Sequence, residues 1–235
     1  MQQGAVSLSE LKKAAAEAAA AIVETGMIVG LGSGSTATLA VKAIGKRVAD
    51  GLRIAGIPTS EQTAQLAREL GIPLSSMAEH EQIDITIDGA DEVELGTFNL
   101  IKGRGGALLR EKIVASASAR FAIVVDESKL VEQLAVRDAI PVEVVPFGWQ
   151  ATAKRLRQLG ANPVPRLLGD GQQFYITDGG HYILDCTFSA PPSIPALQRE
   201  LDSVVGLVEH GLFLGMTTEV IVGAAGGVRV LKPKL

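Results

Sequence analysis

The stretch that decides the predicted fold runs from residue 84 to residue 112 and reads DITIDGADEVELGTFNLIKGRGGALLREK. Isoleucine alternates with aspartate or threonine over residues 83–88, which is the two-residue period of a β-strand. The strand is predicted to end at a turn around Gly89 and Ala90. A glycine-rich loop at 102–106 and a helix come next. The stretch therefore predicts a strand, a loop and a helix in close succession.

Four ionisable side chains lie within this strand–loop–helix unit, namely Asp88, Asp91, Lys102 and Glu111. Open α/β sheets bind their ligands at the carboxyl ends of the strands, so the pattern predicts an active site for proton transfer on a small polar substrate. Each residue taken singly has a structural alternative. An aspartate at a strand end often caps backbone N–H groups, and a Lys-Gly-x-Gly-Gly run by itself is only a loop. The convergence of all four favours the active site.

A second motif follows the predicted strand at 27–31. Residues 32–36 read Gly-Ser-Gly-Ser-Thr, and a helix is predicted to run on to about Arg47. A strand, a glycine loop and a helix in this order direct backbone N–H groups and the helix dipole at an anion. The lysine of a Walker A loop is missing, and Ser35 takes the place of the third glycine of a dinucleotide fingerprint. The motif therefore favours a monophosphate, the alternative being a glycine turn that only allows tight packing.

Strands and helices alternate up to residue 131. Ser7 and Glu10 form a capping-box pattern at the start of a helix that is predicted to run to Glu24 and to be closed by Gly26. Further predicted elements are strands at 52–57 and 121–125 and helices that begin at Ser60 and at about Gly106. This alternation predicts an α/β fold with a doubly wound, mainly parallel, Rossmann-like sheet.

The pattern changes to α+β after residue 131. Predicted here are a strand at 141–146, a helix at 150–159, a hairpin of 174–177 with 182–188 around Asp-Gly-Gly, and a helix from Pro195 to about Ser203. Strands at 219–222 and 228–231 are expected to return to the first domain. We therefore predict a catalytic α/β domain at 1–131 plus 208–235 and a smaller inserted α+β domain at 132–207.

Composition excludes several classes of protein. A net charge of -4 on 235 residues gives no electrostatic footprint for nucleic acid or for anionic membranes. Residues 1–6 lack the basic start and apolar core of a signal peptide, and the alanine-rich stretch 14–23 is too short to span a bilayer. Three scattered histidines and the single Cys186 argue against a zinc site and an intramolecular disulfide. We expect a cytoplasmic protein that needs no metal and no cofactor.

Three motifs resemble those of the A-type ribose-5-phosphate isomerases. They are DGADE at 88–92, IKGRGGALLREK at 101–112 and GSGST at 32–36. The similarity extends from residues 10–13 to 228–231 and so covers nearly the whole chain. The resemblance implies an aldose–ketose isomerase that interconverts D-ribose 5-phosphate and D-ribulose 5-phosphate through an enediolate. It also implies a homodimer or a dimer of dimers.

The resemblance implies a role for each site residue. Glu111 matches the base that transfers the proton, Asp88 and Asp91 match the acids that handle ring opening and the hydroxyl groups, and Lys102 matches the lysine on the oxyanion side. The phosphate-side residues are Ser33, Gly34, Ser35, Thr36, Lys12 and Lys129. Further expected substrate contacts are Gly89, Ala90, Gly103, Arg104 and Gly105. Two residues depart from the family pattern, because Ser33 stands where threonine is usual and Arg104 interrupts a run of glycines.

Two other classes of function are alternatives to the isomerase. A hexosamine-phosphate deaminase or a sugar-phosphate lactonase also carries a phosphate loop on its sheet, and activity assays with their substrates would separate them. A non-catalytic sugar-phosphate sensor normally carries an output module, and the sequence shows no basic helix-turn-helix. For Lys12 alone, the alternative is a solvated charge on a helix surface. The isomerase accounts for all three motifs at once.

Overall fold

The computed structural model of the chain describes residues 7–169, 171–190 and 193–233. The α-helices in this part are α1 (Leu8–Ala21), α2 (Ser35–Ala49), α3 (Glu61–Glu69), α4 (Leu108–Ser116), α5 (Trp149–Gln158) and α6 (Ile194–Leu201). The strands are β1 (Ile28–Leu31), β2 (Ala55–Pro58), β3 (Ile85–Asp88), β4 (Glu92–Glu94), β5 (Leu100–Ile101), β6 (Phe121–Asp126), β7 (Leu130–Val131), β8 (Ile140–Val144), β9 (Ala161–Pro165), β10 (Tyr182–Phe188), β11 (Leu207–His210), β12 (Leu212–Phe213), β13 (Glu219–Ala224) and β14 (Gly227–Leu231). Residues 1–6, which carry the expectation about a signal peptide, lie outside the described residues.

The chain divides into two compact units. The first comprises Met1–Ala90, Arg110–Leu130 and Met216–Leu235, and the second comprises Asp91–Leu109 and Val131–Gly215. The predicted domain boundaries differ from this division mainly at 91–109. This segment lies in the second unit because its strands β4 and β5 belong to a sheet of order β12-β5-β4-β7. The boundaries at 131/132 and 207/208 stay a prediction.

The first unit is built on a six-stranded sheet of order β14-β13-β6-β3-β1-β2. Neighbouring strands from β13 to β2 run parallel, and only the edge strand β14 is antiparallel, to β13. All four residues of β3 and all six of β6 are buried, as expected for central strands that are covered on both faces. The predicted α/β fold with a mainly parallel sheet is confirmed.

Helices cover both faces of this sheet. Val29 and Leu31 of β1 share a hydrophobic core with α1 and α2. Gly30, which lies between them, faces Val114 of α4. Because successive residues of a strand point to opposite faces, α4 packs on the face opposite α1 and α2. The sheet is therefore doubly wound, and the carboxyl ends of its parallel strands meet at one edge.

The second unit contains an antiparallel sheet of order β11-β8-β10-β9. Its core combines residues of this sheet with apolar side chains of α5 and α6. Pro163 and Pro165 lie in β9, which is an edge strand. Proline cannot donate a ladder hydrogen bond, so an edge is where a strand tolerates it. The sequence patterns did not predict β9 and β11, nor the short strands β4, β5, β7 and β12.

Two local predictions are wrong. The helix α1 ends at Ala21 and not at Glu24. At this observed end, the Arg47 guanidinium donates to the backbone oxygens of Ala20 and Val23. The hairpin of 174–177 with 182–188 is absent, although a turn is present, with Thr177 N donating to His181 O at 2.9 Å. Both edges of β10 are occupied by β8 and β9, which leaves no place for a further strand. The capping box at Ser7 and the N-cap at Ser60 are confirmed.

Candidate active site

Asp88 is the last residue of β3 and is fully buried. Its Oδ1 accepts hydrogen bonds from the backbone N–H groups of Ser33, at 3.0 Å, and Gly89, at 2.7 Å. Gly32 lies directly against this carboxylate, since a Cβ atom at Gly32 would stand 2.3 Å from Asp88 Oδ1. The glycine is therefore required for the close approach of the two strand ends. The backbone of β1 and β3 thus determines the orientation of Asp88.

Glu111 lies in the first turn of α4 and is 4% exposed. Its Oε1 accepts a hydrogen bond of 2.5 Å from the Ser33 hydroxyl. Ser33 thereby bridges two predicted catalytic residues, with its N–H on Asp88 and its O–H on Glu111. At this edge of the sheet, both carboxylates are hydrogen-bonded to the same serine. In this structure the Ser33 hydroxyl donates to Glu111 and is engaged on the carboxylate side. A role of Ser33 in phosphate binding stays a prediction.

The N-terminus of α2 lies immediately after this serine. Gly34 is the N-cap residue, with φ of 86°, and Thr36 is buried in the first turn. The first N–H groups of a helix have no partner within the helix and carry its positive dipole end. Lys12 Nζ, from α1, donates to the Ser35 hydroxyl at 3.4 Å. A helix N-terminus with hydroxyl groups and an ammonium group is suited to bind an anion.

Lys129 follows the carboxyl end of β6. It lies in a 3-10 helix, Glu127–Lys129, that Asp126 begins by accepting the Ser128 N–H at 3.0 Å. Because β3 and β6 are parallel neighbours, Asp88, which ends β3, and Lys129, which follows β6, lie at the same edge of the sheet. The structure therefore places Lys129 at the predicted edge.

In the second unit, Asp91 and Lys102 flank the antiparallel strands β4 and β5. Glu92 pairs with Ile101, and carrying this register one residue further sets Asp91 opposite Lys102. The Asp91 N–H donates to Ile101 O at 2.8 Å. Lys102 is 2% exposed, and its Nζ lies 5.6 Å from the centre of the Phe213 ring. Two of the four predicted catalytic residues thus occupy facing positions at the end of one ribbon.

The loop of Gly103, Arg104 and Gly105, called the 103–105 loop below, follows Lys102. Gly103 has φ of +105°, a conformation that favours glycine. Arg104 is not among the residues of positive φ, and its N–H donates to Asp91 Oδ2 at 2.9 Å. Its side chain is 72% exposed and reaches Asp138 at 3.6 Å. Arg104 therefore acts on Asp91 through its backbone N–H, which any residue except proline would supply.

Known proteins that are similar to this chain over most of its length identify its family. The family model for ribose 5-phosphate isomerase A (phosphoriboisomerase A) matches residues 55–227. Ribose-5-phosphate isomerase A of Gloeobacter violaceus is 56% identical over 229 residues, which are 97% of this chain and 98% of that protein. The chain belongs to the ribose 5-phosphate isomerase A family.

Solved structures of the family agree with this assignment. Ribose 5-phosphate isomerase A from Methanocaldococcus jannaschii has a TM-score of 0.91 at 40% identity and covers 96% of this chain and 100% of its own. A D-ribose-5-phosphate isomerase in complex with phospho-erythronic acid has a TM-score of 0.92 at 38% identity, over 97% of this chain and 100% of that chain. The resemblance seen in the three sequence motifs is confirmed.

Three residues that support the 103–105 loop were not predicted from the sequence. Arg166 Nη1 donates to Gly103 O at 2.8 Å and to Arg104 O at 3.0 Å, and the Tyr175 hydroxyl donates to Gly105 O at 3.2 Å. Asp185 in turn accepts from Arg166. Arg166 lies 63 residues from Gly103 in sequence, so no local pattern could connect them.

An open cavity of about 370 Å³ lies beside this loop within the second unit. Its lining contains charged side chains of both signs beside apolar ones, and consists of Asp91, Arg104, Asp138, Ala139, Pro141, Arg166 and Asp185. The cavity is therefore bordered by one predicted catalytic residue and by the Arg166–Asp185 pair.

The lone cysteine, Cys186, is a buried free thiol. Burial raises the pKa of the Cys186 thiol to about 12, and the neighbouring Asp185 carboxylate adds to the effect. The thiol is therefore neutral at physiological pH and is not a nucleophile. Over the described ranges, no cluster of three or more His, Cys, Asp or Glu side chains is arranged to bind a metal ion. No helix among the same residues has the length and hydrophobicity to cross a bilayer.

Proposed function

We propose that this chain interconverts D-ribose 5-phosphate and D-ribulose 5-phosphate. Membership of the ribose 5-phosphate isomerase A family supports the substrate and the reaction. The observation that carries the proposal is the Ser33 bridge, in which one serine binds both the Asp88 and the Glu111 carboxylates beside the N-terminus of α2. Two acids next to an anion site are the groups that proton transfer on a sugar phosphate needs.

The phosphate group is bound at the N-terminus of α2 in this proposal. Gly34, Ser35 and Thr36 supply backbone N–H and hydroxyl donors, and the Lys12 and Lys129 ammonium groups supply charge. The Lys12–Ser35 hydrogen bond supports this role, since it holds an ammonium group at the loop. A charge-assisted hydrogen bond to phosphate is worth about 1.5–3 kcal/mol. The phosphate therefore provides binding energy that is remote from the reacting carbons.

Ring opening is the first chemical step. Ribose 5-phosphate is mainly a furanose, so the C1 hydroxyl must lose a proton and the ring oxygen must gain one. We assign this exchange to Asp88 and Asp91. Both carboxylates are oriented by backbone N–H donors, from Ser33 and Gly89 for Asp88 and from Arg104 for Asp91. Gly89, Ala90 and the 103–105 loop supply further substrate contacts.

Proton transfer between carbons is assigned to Glu111. Its carboxylate removes the proton from C2 of the open-chain aldehyde, and the electrons of that bond form an enediolate with negative charge on O1. Lys102 stabilises this charge electrostatically. Glu111 then returns the proton to C1, while the O2 hydroxyl proton moves to O1. The product is the ketose, and every atom is conserved.

The assembly and location follow the family expectation. We infer that the chain acts in the cytoplasm as a homodimer or a dimer of dimers, without nucleic-acid or membrane partners. The alternating α/β unit and the small net charge of -4 are consistent with a protein that binds a small metabolite.

The direct test measures ribulose 5-phosphate formed from ribose 5-phosphate by the purified chain. We expect turnover without any added cofactor. Glucosamine 6-phosphate and 6-phosphogluconolactone serve as controls and should not react. A protein that converts either control but not ribose 5-phosphate would replace the proposed activity by that of a deaminase or a lactonase.

A further inference from the structure

We propose that Arg166 and Asp185 position the Asp91 carboxylate through the peptide group between Gly103 and Arg104. The inference rests on the proposed function, because it concerns the ring-opening role assigned to Asp91. It names two positioning residues, which act through the loop and not on the substrate.

One peptide group joins the two sides of this arrangement. Its carbonyl oxygen, on Gly103, accepts from Arg166 Nη1 at 2.8 Å. Its N–H, on Arg104, donates to Asp91 Oδ2 at 2.9 Å. The two ends of a planar peptide point in opposite directions, so rotation of the group at one end moves the donor at the other. The Gly106 N–H donates to the same carbonyl at 2.9 Å, as part of the local turn. Arg166 adds a side-chain donor to this carbonyl, and through it bears on where the N–H that binds Asp91 points.

The rest of the loop is oriented in the same way. Arg166 Nη1 also donates to Arg104 O, and Tyr175 donates to Gly105 O, so the carbonyls of three successive residues are bound by side chains of the second unit. The flexible glycines on either side of Arg104 cannot provide this order by themselves. The loop is consequently held by residues that lie far from it in sequence, in addition to its own turn hydrogen bond from Gly106 N–H to Gly103 O.

Asp185 keeps the guanidinium in place. It accepts from Arg166 Nε at 2.9 Å and also from Nη2, which is a two-point pairing. The Arg166 side chain is only 14% exposed, and a charged group that is largely buried needs such a partner. A planar guanidinium can bind a carboxylate along one edge and a carbonyl from the remaining nitrogen, whereas a lysine ammonium cannot reproduce this geometry.

A purely structural role for the pair is the alternative, and one readout separates the two. D-ribulose 5-phosphate has no furanose form, because its C5 oxygen carries the phosphate. Exchange of its C1 hydrogen with deuterated water therefore needs the proton transfer but no ring opening. Turnover of ribose 5-phosphate needs both steps. A loss of folded protein lowers both rates equally, while a displaced Asp91 lowers turnover more than exchange.

The experiment compares Arg166→Lys and Asp185→Asn with the parent protein. We expect the ratio of exchange to turnover to rise about 10- to 100-fold in Arg166→Lys, because small displacements of a catalytic group have effects of this size. Asp185→Asn should shift the ratio in the same direction by less. The matched control is Arg120→Lys. In the parent protein, the Arg120 guanidinium binds Glu219 through Nε at 3.1 Å and Nη2 at 2.6 Å. Arg120 precedes β6 and so lies at the amino end of the sheet, away from the predicted site. The ratio of exchange to turnover should therefore stay unchanged in Arg120→Lys.

Each outcome bears on the proposal. Folded Arg166→Lys and Asp185→Asn proteins with the parent ratio would overturn it and leave the isomerase activity standing. If Arg166→Lys does not fold, Asp185→Asn carries the test, and failure of both to fold would assign the pair to stability alone. A parent protein that does not convert ribose 5-phosphate would instead overturn the proposed function itself.

Discussion

Asp88 and Asp91 are three residues apart in the chain, yet the protein orients them in different ways. Asp88 ends a central strand of the first unit, is fully buried, and accepts from two backbone N–H groups at the ends of β1 and β3. Asp91 lies in the second unit, is half-buried, and accepts from the N–H of Arg104 in a glycine-rich loop. The first carboxylate is oriented by a sheet and the second by a loop.

The difference shows what each setting requires. Strand ends in a parallel sheet are held by the ladder hydrogen bonds of their neighbours, so the donors around Asp88 need no further support. A loop that contains two glycines has many accessible conformations, and ordering it has an entropic cost. The Arg166–Asp185 pair and Tyr175 offset that cost at the 103–105 loop. Substitutions in the two units are therefore expected to have distinct effects.

The largest effect is expected in the first unit, at Glu111. Glu111→Gln keeps the shape and leaves an oxygen to accept from Ser33, but it removes the base. Turnover should fall by about 10²–10⁴, while ribose 5-phosphate binding and the fold survive. Exchange of the substrate C2 hydrogen with deuterated water should fall in parallel.

The control for Glu111 is Glu61→Gln. Glu61 is exposed, and the Arg110 guanidinium at 2.8 Å holds the pKa of its carboxyl below the usual value. Loss of this surface pair should leave turnover within a few-fold of the parent. A folded Glu111→Gln protein that isomerises as fast as the control would remove Glu111 from the proposed role.

The next effect concerns substrate binding at the N-terminus of α2. Thr36→Val keeps the volume of this buried residue and removes its hydroxyl. Affinity for ribose 5-phosphate, measured by titration, should weaken about ten- to a hundredfold. D-ribose, which lacks the phosphate, should be bound poorly and almost equally by both proteins. An equal relative loss for both sugars would show that the loop does not bind the phosphate.

A smaller effect is expected at Arg104, and it sharpens the contrast with Arg166. Arg104→Ala keeps the backbone N–H that binds Asp91 and removes only an exposed pair with Asp138. Such pairs contribute less than about 1 kcal/mol, so turnover should stay within about fivefold of the parent. A loss as large as that of Arg166→Lys would mean that the Arg104 side chain itself acts on the substrate.

The smallest effect is expected from metal removal. The proposed chemistry uses carboxylates and a lysine, and no step needs a metal ion. Exhaustive chelation followed by desalting should leave turnover unchanged. If chelation abolished turnover and divalent ions restored it, that result would contradict the assignment of the acids to proton transfer.

Much of the fold was predictable because its signals are local. The capping box at Ser7, the N-cap at Ser60 and the strands around β13 and β14 follow from short patterns, and the family resemblance is confirmed over nearly the whole chain. The roles of the individual site residues stay predictions. The two wrong elements depended on distant partners, since Arg47 caps the end of α1 and β9 takes the edge of β10.

The sequence by itself determined the alternating α/β pattern, the glycine loops and the chemical types of the site residues, because these depend on neighbours a few positions apart. Only the tertiary structure decided that Ser33 joins Asp88 to Glu111, and that Arg166 binds the 103–105 loop. Those contacts join residues that lie far apart in the chain. Their geometry follows from strand order and packing, which no local pattern encodes.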